Sequence, residues 1–245
     1  MSNCSIINRV NEVIKNMSKG KFSYAFKVAT TICCLIGLLT SFIGTNNIMS
    51  TLSYYTTLSN IVVLIFYISI CLILPFKKNA DKTQSYAQIK GAVVMIIFLT
   101  FMVYSISLQP LGFVMGAEVP SADRVFRISN IFVHFVTPIM VFLDYFIFDF
   151  KGNYKYSYVP LWTLFPALYP VYAYIYAELG GRYGNVGGSI KYAYFFLDKD
   201  EIGVEGVVGY LALIWVIYEM CCLAYVFIDH TLKKRNEKRN KPCNS

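Results

Sequence analysis

Six stretches of roughly 20 mostly apolar residues dominate the chain, at 25–44, 54–75, 89–109, 128–148, 157–177 and 206–228. A helix of that length spans the ~30 Å hydrocarbon core of a bilayer at 1.5 Å per residue. Only 15% of the 245 residues are charged, against about 25% in soluble domains. The expected fold is therefore all-α: a polytopic membrane protein with six transmembrane helices. Residues 1–22 read as a basic amphipathic N-terminal segment lying on the membrane, 23–229 as the six-helix domain, and 230–245 as a basic, solvated and disordered cytoplasmic tail.

The net charge of +8 does not point to nucleic acid, because the basic residues flank the apolar stretches. Fifteen Lys and Arg residues fall in segments on one side of the spans and five on the other. The positive-inside rule then puts both termini in the cytoplasm, with the plasma membrane as the expected location. Lys27 is expected to snorkel to the surface. Pro160, Pro166 and Pro170 are expected to bend helix five. The seven cysteines show no CxxC spacing, and no metal site or cofactor is expected. GRYGNVGG does not join a strand to a helix, so it is a weak nucleotide signal. The long outer loop 178–205 carries Tyr192, Tyr194, Phe195 and Phe196 before Asp198. It reads either as a lid folded back on the membrane or as an interfacial aromatic anchor.

Polar side chains within the apolar stretches narrow the function, since an unsatisfied polar group in hydrocarbon costs several kcal/mol. His134 is the only histidine inside a span. With both chain ends inside, helices two and four run in the same direction, and Thr57 and His134 lie within about one turn of the same depth. A threonine hydroxyl needs a base within hydrogen-bond reach to act as a nucleophile, and neutral imidazole suits that role. Asn60 and Asn130 are the candidate donors for a developing oxyanion. A buried nucleophile suits a substrate whose scissile bond lies at that depth, such as a lipid acyl ester. Taken singly, each residue also has a structural reading: His134 as a bond to a neighbouring helix, Thr57 as a cap, Asn60 as helix-association glue. Glu219, in the middle of helix six, is an intramembrane carboxylate and a functional candidate by default. Asp144 and Asp149 are expected to pair with Lys151 or Lys155. Tyr104, Ser105 and Gln109 on helix three, with Tyr169, Tyr172 and Tyr176 on helix five, read as a polar pocket or as packing; Asp198 is a further pocket candidate.

The run Tyr55-Thr56-Thr57-Leu58-Ser59-Asn60, together with Asn130 to His134, resembles the androgen-induced integral membrane protein family. That family consists of multi-pass hydrolases of fatty acid esters of hydroxy fatty acids that use a threonine and a histidine on different helices. HFVTPIMVFLDYFIF and YFFLD are similar to a bacterial six-helix membrane family of unassigned activity, a likeness that covers most of the chain. The first resemblance implies Thr57 as nucleophile and His134 as its partner, with Thr56 adjacent and the register open by one residue. Two functions are thus expected to compete. One is a lipid-ester hydrolase or acyl-transfer enzyme with a Thr57–His134 dyad. The other is a transporter or small-ligand binding protein using His134 and Glu219 as proton or ion-coupling groups. A third reading has no chemistry, only helix association.

Overall fold

The computed structural model describes residues 3–43, 45, 47–76, 83–108, 124–184 and 190–239. Among them every regular element is helical, and one isolated bridge pairs Tyr183 with Ile190. The helices are α1 (Asn3–Ile43), α2 (Ile48–Ser53), α3 (Tyr55–Ile73), α4 (Gln84–Val103), α5 (Arg124–Ile131), α6 (Thr137–Phe148), α7 (Val159–Glu178) and α8 (Lys199–Arg239). Wider π-turns extend α4 over Tyr104–Leu108 and join α5 to α6 over Phe132–Val136. The Lys77–Lys78 stop, the Gln109–Pro110 helix end, residues 185–188 of the glycine-rich run and residues 240–245 lie outside the described residues.

Five segments have the length and apolarity to cross a membrane: Gly20–Ile43, Tyr55–Ile73, Gln84–Ile106, Ile128–Phe148 and Lys199–Lys238. The sixth expected span, α7, forms as a 20-residue helix but is not among them. Its three prolines and four tyrosines lower its hydropathy. The helix nonetheless continues through Pro166 and Pro170. Pro166 has no N–H for the Trp162 carbonyl, and the Tyr218 hydroxyl on α8 donates to that carbonyl instead, at 3.2 Å.

The C-terminal end of the chain differs from expectation. α1 is one continuous helix from Asn3 to Ile43, whose membrane-length part begins at Gly20. α8 runs to Arg239, so most of the tail expected to be disordered is helical; its one non-helical residue is Gly203 (φ 72). No proline interrupts either stretch, and Lys, Arg and Glu are good helix formers.

α4 is the central helix, with Val94, Met95 and Ile97 fully enclosed, and it packs against α3, α6 and α7. α1 lies across α3, α5 and α6. The α4–α7 approach is set by Gly91, where a Cβ would sit 2.1 Å from the Trp162 ring. The indole Nε1 donates to the Gln88 carbonyl at 3.0 Å, which fixes the ring over that glycine. Gly91→Ala is therefore expected to destabilise the bundle by about 1–3 kcal/mol. A lower thermal midpoint of the purified protein in detergent would report it, and an unchanged midpoint would refute the close approach.

At the other end of α6 from His134, four helices meet around a buried carboxylate. Lys27 Nζ on α1 lies 2.6 Å from Asp144 Oδ1. Lys90 Nζ on α4 binds Asp144 Oδ2 and, at 2.7 Å, Asp149 Oδ1. The Tyr67 hydroxyl on α3 donates to Asp144 Oδ2 at 2.9 Å. Lys27 thus does not snorkel: it is 2% exposed and paired. Nor do Asp144 and Asp149 take Lys151 or Lys155 as partners, since Lys151 Nζ donates to the Tyr145 and Asp149 carbonyls. The physical reason is Lys90. A buried ammonium must be paired, and the two carboxylates one helix away satisfy it.

Candidate active site

The chain breaks at Tyr54, which is extended (φ −76, ψ 140), between α2 and α3. That break places Tyr55, Thr56 and Thr57 in the first turn of α3. Successive helical residues point about 100° apart, so only one of the two threonines can face the π-turn of the α5–α6 helix. It is Thr56. Its Oγ1 lies 3.2 Å from His134 Nε2. Thr57 is buried as well, but the hydrogen bond to the imidazole belongs to its neighbour, one residue from the expected register.

The π-turn around His134 follows from Pro138. A proline there offers no N–H to the His134 carbonyl and crowds that turn. The backbone widens, and the Thr137 N–H bonds the Phe132 carbonyl five residues back. Gly37 on α1 accommodates the bulge: a Cβ there would lie 3.0 Å from Phe132 Cβ and from Val133 Cγ1.

The ring is fixed on three sides. His134 Nδ1 lies 3.1 Å from the Asn130 carbonyl, which can only accept, so Nδ1 carries the hydrogen. In the neutral ring Nε2 then holds the lone pair and accepts the Thr56 O–H. Tyr104 stacks on the imidazole at 3.8 Å between centroids and 20° between planes. The Asn130 amide donates to the Tyr104 hydroxyl at 2.6 Å, so one asparagine orients the histidine by its carbonyl and by its side chain. Both Asn60 Nδ2 hydrogens are used, on the Thr56 carbonyl at 2.8 Å and the Val133 carbonyl at 3.1 Å. Asn60 therefore ties α3 to the π-turn; it presents no free donor to a substrate.

Thr56 opens onto an apolar cavity of ≈ 60 Å³ between α3, α4, α7 and α8. Leu99, Val103, Pro166, Pro170, Leu211 and Ile214 form most of its wall, with Tyr104, Tyr169 and Tyr194 at the dyad end. His134 is 1% exposed and lies behind the threonine. From the 178–205 connection, Tyr194 and Phe196 contribute to the wall. Tyr183, Tyr192, Tyr194 and Leu197 are buried, not displayed as an interfacial anchor. The Tyr174 hydroxyl holds the loop by donating to the Leu197 carbonyl at 2.7 Å.

Three other pocket candidates are elsewhere. Asp198 caps α8, accepting from the Asp200 and Glu201 amides at 3.0 and 3.2 Å. Tyr172 is 40% exposed, with its hydroxyl 3.1 Å from Ser53 Oγ. Glu219 is half-buried on α8 and does not line the cavity. Lys90, passed over in the sequence, carried a signal: it is a lone charge inside an apolar stretch. Comparison of the chain with known protein families, curated proteins and solved structures finds no match.

Proposed function

We propose that the protein is an intramembrane lipid-ester hydrolase or acyl-transfer enzyme, with Thr56 as nucleophile and His134 as base. In this reading α7 is the sixth span, both termini are cytoplasmic, and the dyad sits in the outer leaflet of the plasma membrane. One observation carries the proposal. A threonine hydroxyl on an apolar cavity wall is 3.2 Å from an imidazole nitrogen whose partner nitrogen is anchored to a carbonyl. The anchored tautomer leaves Nε2 ready to take a proton, the arrangement that activates a weak alcohol nucleophile. The apolar wall matches an acyl chain in polarity, and at ≈ 60 Å³ the cavity has to widen to admit one. Coupled transport through His134 and Glu219 has less support, because Glu219 does not share the cavity.

The test is hydrolysis of p-nitrophenyl esters of fatty acids, over a series of chain lengths, by purified protein in detergent micelles. Saturable turnover is expected, absent in Thr56→Ala and in His134→Ala. No turnover at any chain length, or full turnover in both variants, contradicts the proposal.

A further inference from the structure

Val207, Leu211, Ile214, Tyr218, Cys222 and Tyr225 recur at helical spacing and form the inward stripe of α8. Val207, Tyr218, Cys222 and Tyr225 are buried, none more than 5% exposed. Leu211 and Ile214 sit in the middle of the same stripe, yet they are only half-buried. The lapse in packing coincides with the cavity: both side chains line it, on the wall it shares with Thr56. Val103, also half-buried, lines it from α4.

The remaining wall is fixed. Tyr104 stacks on the imidazole, Tyr169 donates to the Ser53 carbonyl at 3.2 Å, and Tyr194 stacks on Phe196 at 5.1 Å. Leu99 is buried within α4. Pro166 and Pro170 are half-buried, but a pyrrolidine ring has no rotamer to exchange. α8 is the least enclosed span, with 22% of its apolar window buried against 61% for α4. Few buried contacts make a segment easy to displace. Gly203, in the left-handed region at φ 72, separates this half of α8 from the preceding turn.

An apolar space of about 150 Å³ takes a benzene-sized guest. At ≈ 60 Å³ the cavity holds only the first carbons of an acyl group. A longer chain has to pass the wall that yields. We propose that the acyl chain leaves the cavity between α4 and α8, past Val103, and that Leu211 and Ile214 set the chain length accepted. The inference rests on Thr56 being the nucleophile. Rotation of these two side chains opens the wall toward the apolar outer faces of the helices, where Leu213 and Val216 are exposed. The far end of the chain then stays among lipid tails, so the substrate class is an ester dissolved in the bilayer.

The test compares p-nitrophenyl acetate with p-nitrophenyl dodecanoate, using purified protein in detergent micelles with rates normalised to folded protein. Leu211→Phe and Ile214→Phe narrow the opening. Each is expected to lower kcat/KM for the dodecanoate on the order of 10–100-fold and to change that for the acetate less than about threefold. Replacing both residues by alanine widens the opening and is expected to raise the dodecanoate-to-acetate ratio about tenfold. Leu213→Phe, on the outer face of the same helix and not lining the cavity, is expected to keep the wild-type ratio. A wild-type ratio in all the Leu211 and Ile214 variants overturns the inference and leaves the dyad standing. Equal losses on both esters overturn it too, because the residues would then act on the dyad and not on the chain. The same shift in Leu213→Phe overturns it as well, since disturbance of α8 would be the cause. Absence of wild-type turnover on every ester overturns both this and the underlying reading.

Discussion

Thr56→Ala is expected to lower ester turnover by about 1,000-fold or more, whereas Thr57→Ala lowers it by less than about tenfold. The two residues are chemically identical and adjacent, and both are buried. Only position separates them. Thr56 Oγ1 is within hydrogen-bond reach of His134 Nε2 and faces the cavity; Thr57 does neither. His134→Ala is expected to match Thr56→Ala, and the double variant to fall little further, because nucleophile and base act as one unit. Initial rates at saturating ester, for all four variants normalised to folded protein, check the claim. Equal losses at Thr56 and Thr57 would mean that α3 is merely being disturbed.

Asp144→Asn is expected to destabilise the bundle by about 3–5 kcal/mol, because it leaves the buried Lys27 and Lys90 ammoniums short of their shared counter-charge. In a chain of this size that corresponds to a drop in thermal midpoint on the order of 10 °C. The loss exceeds that of a surface pair such as Lys191–Asp200, which is solvated and screened. Replacing Lys27, Lys90, Asp144 and Asp149 together by apolar residues of similar size is expected to recover much of the stability, since no unpaired charge then remains. Thermal unfolding in detergent reads both effects. A midpoint within 2 °C of wild type for Asp144→Asn would show that the cluster is hydrated and not the dry junction of four helices.

Much of the architecture was legible in the sequence because apolar length is a strong signal. The stretches at 54–75, 89–109 and 128–148 match helices to within a few residues. What the pattern does not carry is rotation about the helix axis. Thr56 and Thr57 have the same depth and chemistry, and the choice between them depends on where Tyr54 breaks the chain. The role of Asn60 was hidden for the same reason: its donors are taken by two carbonyls that only tertiary contact identifies. Lys90 was more accessible. A lone lysine six residues after Gln84 in an apolar helix demands a carboxylate, and Asp144 and Asp149 were at hand.

The most direct test of the hydroxyl–imidazole site is covalent trapping. Purified protein is incubated with a long-chain alkyl fluorophosphonate in detergent, digested, and the modified peptide sequenced by mass spectrometry. The account predicts one adduct, on Thr56, absent in His134→Ala and undiminished in Thr57→Ala. An adduct on any other residue, or none under conditions where the same preparation hydrolyses ester, would contradict it.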